Sequence, residues 1–229
     1  MNDIFERSRQ LLGEEGFESI KKRHVLVCGL GGVGGTCAMA LARSGIGELT
    51  ICDFDVVEES NLNRQILFTS ESLGKEKTKE AEKALLSVSP NLIIHGVSGK
   101  FSQEIAEELP WNTFDFVIDA IDDIPAKVEL IKACQKHGVP LIVSLGMGNR
   151  LDPTKITLTK LSKTEGDPLA RKLRSMCRQE GIDLSAVDVC FSKETPVMKS
   201  PTPGSMMMVP SAAGLAMAYQ ALFFFLKKS

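Results

Sequence analysis

Residues 24–45, "HVLVCGLGGVGGTCAMALARSG", decide the fold. The first seven are nearly continuous in apolar character, as in a strand covered on both faces. The last ten read as a helix. Between them Gly29-x-Gly31-x-x-Gly34 sits directly at a strand-to-helix turn, the context in which this spacing has meaning. The first glycine permits the tight turn and the second lets the backbone approach a phosphate. The third lets the helix pack closely, and the helix N-terminus then stabilises phosphate charge. A second strand, "ELTICDFD", brings Asp53 to a position 19 residues beyond Gly34, near the spacing of a ribose-binding carboxylate. A purely structural glycine turn would not require that strand, helix and carboxylate together. NAD and FAD both remain open on these residues alone.

Working outward, apolar runs alternate with helical ones. "KEKTKEAEKALLSVSP", "SQEIAEEL" and "IPAKVELIKACQKHG" read as helices, and "LIIHGVSG", "FDFVIDAID", "VPLIVSLG" and "KITLTKL" as strands. This alternation predicts an α/β fold, a Rossmann-like, doubly wound and mostly parallel sheet. Residues 3–22 form a helical lead-in. The rhythm occupies residues 1–155, and a C-terminal extension, residues 156–229, departs from it. There a basic helix carries Arg171, Lys172, Arg174 and Arg178, and "KETPVMKSPTPGSMMMVPSAAG" is expected to cross a face of the sheet as a long loop. Loops of that length are often lids or binding segments. A packing helix closes the chain, with both parts in one structural domain.

With 229 residues, 43% hydrophobic and 24% charged, the composition is that of an ordinary globular protein. A net charge of −2 gives no global pull toward nucleic acid, so RNA contact requires a local basic patch. The N-terminus lacks the apolar core of a signal peptide, and the expected location is cytoplasmic. In "MMMVPSAAGLAMAYQALFFFL", Pro210 and Gly214 are read as interruptions that leave too short a span for a bilayer, so a buried helix is preferred to a membrane anchor. The six cysteines form no C-x-x-C pair, which leaves no zinc site. Cys190 is weighed as a candidate thiol nucleophile, with a buried cysteine the preferred reading. The three histidines receive no catalytic task.

Beyond Asp53 come Asn61, Asn63, Arg64 and Gln65, then Lys77. A nicotinamide has no use for two cations here. A triphosphate attacked at its α-phosphorus does, since its charge-spreading transition state is stabilised mainly by positioned cations. Asp122, at the C-terminal end of a predicted strand, is placed to hold Mg²⁺ on the phosphates. Asp123 reads equally well as a helix N-cap.

Taken together, the glycine turn, "DFDVVEESNLNRQ", the lysine of "GKEK" and "DAIDD" resemble the superfamily of ThiF, MoeB and ubiquitin-activating (E1) enzymes. The resemblance implies an E1/ThiF-type adenylation fold, an ATP-binding core, and adenylation of a carboxylate. By motif it implies nucleotide binding by Gly29, Gly31, Gly32, Gly34, Asp53, Asp55, Asn61, Arg64, Lys77 and Asp122, with Arg64, Lys77 and Asp122 catalytic. It further implies a homodimer in which Arg9 reaches across the interface to the phosphates. The missing zinc pairs and the absence of an obvious thioester cysteine depart from the sulfur-carrier and ubiquitin activators. "RLDPTKITLTKLSKTEGDPLARKLR" and "DVCFSKE" instead resemble the tRNA threonylcarbamoyladenosine dehydratases, which extends the likeness along almost the whole chain.

That branch implies ATP-dependent cyclisation of N6-threonylcarbamoyladenosine in tRNA through an acyl-adenylate. The basic run Arg171–Arg178 is then a candidate RNA contact, against the other reading of a solvated helix face. A cysteine-desulfurase or sulfur-acceptor partner and a monovalent cation near the C-terminal loop are left open. The rival activity is an adenylyltransferase acting on the C-terminus of a ubiquitin-like sulfur carrier. A non-catalytic scaffold and a dehydrogenase rank lower.

Overall fold

The computed structural model describes residues 3–198, 200 and 202–227. Helix α1, Glu6–Lys21, leads into β1, His24–Cys28, every residue of which is buried. The expected single lead-in helix is broken at Gly13, whose φ of 71° and ψ of 167° are not helical. After the glycine turn come α2 (Gly32–Ser44), β2 (Glu48–Asp53), α3 (Lys77–Val88), β3 (Ile93–Ser98) and α4 (Gln103–Glu108). They are followed by β4 (Phe116–Asp119), α5 (Ile124–His137), β5 (Leu141–Ser144) and β6 (Ile156–Lys160). The chain ends with α6 (Pro168–Gln179), β7 (Asp188–Ser192) and α7 (Met208–Lys227).

The sheet has the order β3-β2-β1-β4-β5-β7-β6. All neighbours run parallel except β6 and β7. From β1 the chain winds outward through β2 to β3, then returns to place β4 on the other side. In register, Cys28 of β1 lies opposite Cys52 of β2 and Asp119 of β4. The strand order therefore reverses between β1 and β4, and the crevice beyond their C-terminal ends is where open α/β sheets bind ligands.

Two features of the last third differ from expectation. "DVCFS" is a strand, β7, inserted between β5 and β6. Five residues without clean alternation give too little pattern to identify it. The crossover loop also ends earlier than expected, because α7 runs unbroken from Met208 through Pro210 and Gly214. Pro210 lies in the first helical turn, where an N–H has no intrahelical partner to lose. At Gly214 an added Cβ would come 2.4 Å from the Val33 carbonyl oxygen, so the glycine permits close packing of α7 on α2. The 20-residue helix is long and apolar enough to cross a membrane by length and composition alone. Here Val209, Ala213, Met217, Ala221 and Phe225 bury one face in the main core, together with Leu41 of α2 and Ile118 of β4. Burial of a large side chain such as Met217 or Phe225 stabilises by roughly 1.5–3 kcal/mol.

Candidate active site

A cleft of about 430 Å³ opens at the C-terminal ends of β1, β2 and β4. The glycine turn is its floor. Gly29 has φ 90°, and an added Cβ would lie 2.6 Å from the Ala120 carbonyl oxygen. A Cβ on Gly34 would lie 1.8 Å from the Gly29 carbonyl oxygen, so only glycine lets α2 seat on the turn. Gly31 has open space around its missing Cβ and lines the cleft, so a ligand can approach its backbone. No side chain caps the N-terminus of α2, which leaves its first N–H groups for an anion.

Asp53 is nearly buried. Its Oδ2 accepts from Leu30 N at 2.6 Å and its Oδ1 from Asp55 N at 2.9 Å. The carboxylate thus fixes both the glycine turn and the following loop, and each oxygen retains a lone pair for a ribose hydroxyl. Asn61 closes a short turn in which its Oδ1 accepts from Glu58 N at 3.2 Å. That turn presents Arg64, whose Nη1 donates to the Ser60 carbonyl at 2.6 Å and to Asn63 Oδ1 at 3.0 Å. At the start of α3, Lys77 is 4% exposed and donates from Nζ to Asp55 Oδ2 at 2.8 Å. Asp122 is exposed on the opposite wall. Asp123 takes the N-cap role, accepting from Ala126 N at 3.0 Å.

Sequence reading missed three contributors. Lys100, in the loop after β3, lines the cleft and lies 3.4 Å from Asp123 Oδ1. Beneath the wall, Lys127 Nζ donates to Asp119 Oδ1 at 2.9 Å, and both side chains are fully buried. The same oxygen accepts from Ile121 N at 3.0 Å, which fixes the start of the loop carrying Asp122. Burial pushes the Asp119 carboxyl above the usual carboxylate range, with Lys127 pulling against it. The pair is separated by eight positions, a spacing that carries no recognisable signal.

The third contributor is Asn149, which fastens the crossover loop over the cleft from a left-handed conformation with φ 57°. Its N–H donates to the Gly204 carbonyl, and its Oδ1 accepts from Gly204 N, both at 2.7 Å. Its carbonyl accepts from Val197 N at 2.8 Å. Nearby, Arg150 joins the crossover to α6, donating to the Glu194 carbonyl at 3.1 Å and pairing with Asp167 Oδ2 at 2.9 Å. Thr202, Pro203 and Ser205 consequently form part of the cleft wall. An asparagine in "GMGNR" is a turn signal, but its partners lie some fifty residues away.

Other expected residues lie elsewhere. Arg9 does not reach the cleft within its own chain. It is held by Asp3 at 2.7 Å, Glu18 at 3.3 Å and Glu14, with its guanidinium 4.0 Å from the Phe17 ring centroid. Cys190 is not an available nucleophile, being fully buried on β7 with its thiol pushed up to about 12 by desolvation. Arg171, Lys172 and Arg178 are exposed on α6 outside the cleft, and Arg174 donates to the Thr164 carbonyl at 2.8 Å.

A profile of the ThiF family matches residues 5–229. The chain belongs to the ThiF family. It is 35% identical to the tRNA threonylcarbamoyladenosine dehydratase of Bacillus subtilis, over 97% of this chain and 94% of that one. The crystal structure of the Escherichia coli dehydratase in complex with ATP superposes with a TM-score of 0.92 at 33% identity, covering 98% of this chain and 94% of that one. The molybdopterin-synthase adenylyltransferase of Haemophilus influenzae is 37% identical, but over only 56% of this chain. The ThiF-type sheet expected from the glycine turn and its neighbours is therefore the one observed. The likeness to the dehydratases extends over β6, β7 and the crossover, and residues of the crossover line the cleft.

Proposed function

We propose that the protein dehydrates N6-threonylcarbamoyladenosine in tRNA at the expense of ATP, which becomes AMP and pyrophosphate. One observation carries the reading: the glycine cradle, Arg64, Lys77 and Asp122 converge on a single cleft whose far wall is the crossover. The threonine carboxylate attacks the α-phosphorus, forming an acyl-adenylate and expelling pyrophosphate. The ureido group of the same substituent then attacks the acyl carbon, closing a ring and releasing AMP. Nucleophile and electrophile share one side chain, so ring closure has the entropic advantage of an intramolecular reaction.

In this reading the N-terminus of α2 and Arg64 bind phosphate oxygens. Lys77 keeps two further N–H donors beyond its Asp55 bond. Asp53 orients the ribose. Among the described residues no three His, Cys, Asp or Glu side chains converge on a metal. One carboxylate, Asp122, beside bound phosphates suits Mg²⁺, which takes few protein ligands and keeps its waters; when bound, it neutralises phosphate charge. A monovalent cation is left out of the proposal.

The exposed cations of α6 are assigned to RNA phosphate, contacts that position without reading sequence. A tRNA substrate places the work in the cytoplasm. All six cysteines are buried, so a sulfur-acceptor partner finds no accessible thiol, and that reading is not carried further. A homodimer is proposed through the outward face of α7, where Leu215 and Tyr219 are each 55% exposed and Phe223 38%. In the dimer Arg9 exchanges its own carboxylates for the neighbouring site's phosphates. Leu215→Lys should yield monomers by sedimentation, and an unchanged dimer would remove this face from the account.

The activity is tested by following AMP release from ATP with two candidate acceptors. Release that requires tRNA bearing threonylcarbamoyladenosine supports the proposal. Release that requires a small protein ending in Gly-Gly would transfer the assignment to a sulfur-carrier adenylyltransferase.

A further inference from the structure

Among the described residues three buried side-chain atoms lack a hydrogen-bond partner: Arg23 Nε, Asp119 Oδ2 and Gln65 Oε1. Arg23 lies at the opposite end of β1, where it pairs with Asp115, and Asp119 is engaged through its other oxygen. Gln65 is the one of the three that lines the cleft, and it is only 5% exposed. Buried polar side-chain atoms are hydrogen bonded in the large majority of cases, so an orphan on a residue that lines a cleft requires an explanation.

The backbone leaves little freedom there. Gln65 N donates to the Asn61 carbonyl at 2.9 Å, and its own carbonyl accepts from Phe68 N at 3.1 Å. On one side the segment packs against the first turn of α2: a Cβ on Gly32 would lie 3.3 Å from the Arg64 carbonyl oxygen. On the other side Asn63 Nδ2 donates to the Ser205 carbonyl of the crossover at 2.9 Å. Residues 63–65 therefore stand between the phosphate end of the cleft and the wall facing the acyl substrate. The groups nearest the phosphates, the α2 N–H groups, Arg64 and Lys77, are all donors. Phosphate oxygens only accept, so they cannot satisfy Gln65 Oε1. Its partner must bring an N–H or O–H.

We propose that Gln65 is a further contact residue of the adenylation site, its Oε1 accepting a hydrogen bond from a donor that arrives with the ligands. That donor is either the ureido N–H of the substrate, held in line for ring closure, or a water carried in with the nucleotide. The proposal rests on the adenylation reading above.

The test is Gln65→Met, of similar size and without hydrogen-bonding groups. Its melting temperature should equal or exceed that of the unmodified protein, because an orphaned acceptor has been removed. Its kcat/KM should fall about tenfold to a hundredfold, the scale of one hydrogen bond lost from the reacting complex. ATP–pyrophosphate exchange separates the two donors. Preserved exchange with slow ring closure identifies the ureido N–H, whereas slow exchange with a raised KM for ATP identifies the water. Normal kcat and KM in Gln65→Met, or an activity loss matched by a lowered melting temperature, would overturn the proposal. Unmodified protein inactive on threonylcarbamoyladenosine tRNA would instead overturn the function reading, and this proposal with it.

Discussion

Replacing Lys127 by Met is the most informative perturbation of the scaffold beneath the cleft. Both Lys127 and Asp119 are fully buried, their contact is 2.9 Å, and Asp119 Oδ2 has no partner among the described residues. Removing the ammonium leaves a carboxylate in a dry interior with only the Ile121 N–H to stabilise it. Loss of one member of a buried pair costs about 3–5 kcal/mol. For a chain of this length each kcal/mol lowers the melting temperature by about 2–4 °C, so a fall of roughly 6–20 °C is expected. The double variant Asp119→Leu/Lys127→Met should recover much of this, because an apolar pair removes the uncompensated charge.

The pH dependence has a definite sign. Without Lys127 the folded-state pKa of Asp119 lies still further above its unfolded value. The group's contribution is then fully present below the unfolded pKa and lost as pH rises through the folded one. The penalty of Lys127→Met should therefore be smaller near pH 4 than at pH 7, as read from urea midpoints. A loss under about 1 kcal/mol would refute the reasoning, since it lies within the range of surface ion pairs. So would a double variant as unstable as the sum of the two singles.

Arg64→Ala should lower turnover on modified tRNA by roughly a hundredfold or more, the scale of one missing transition-state donor. Its melting temperature should stay nearly unchanged, since its bonds to Ser60 and Asn63 are exposed; wild-type turnover would remove it from the chemistry. Gly34→Ala forces a Cβ to within 1.8 Å of a carbonyl oxygen, and should abolish ATP binding by calorimetry together with much of the stability. Normal ATP affinity there would mean that the turn is not the phosphate cradle. Burial lowers the pKa of His24 below its ordinary value, against the opposing pull of Glu48. Its contribution to stability is thus present above about pH 6.5 and lost as pH falls below that. His24→Gln should flatten the urea-midpoint profile between pH 7 and 5, and an unaltered slope would assign that region to other groups.

The parallel sheet and the gathering of the glycine turn, Asp53, Arg64, Lys77 and Asp122 at one cleft were legible because each rests on local chemistry. A glycine turn needs glycines, a strand buried on both faces is apolar, and the cations Arg64 and Lys77 follow the second strand within a short stretch of sequence. The crossover wall was far less legible. It depends on Asn149 meeting Gly204 and on Arg150 meeting Asp167 and Glu194, pairings set by tertiary packing with no sequence period. β7 is a short buried strand with little alternation to mark it, and Pro210 and Gly214 look like interruptions of α7 until the fold sets one in its first turn and the other against α2. In Arg9 the sequence offers a residue whose expected role requires a second chain; within one chain it is occupied by its own acidic neighbours.

The most direct test is to incubate the protein with ATP, Mg²⁺ and tRNA carrying threonylcarbamoyladenosine, digest the RNA and weigh the nucleosides. The account predicts a nucleoside lighter by one water, formed in equal amount with AMP and lost on replacing Arg64 by Ala. An unchanged nucleoside on tRNA verified as modified, with ATP bound in the cleft, would contradict it and leave a protein carboxylate as the substrate to be sought.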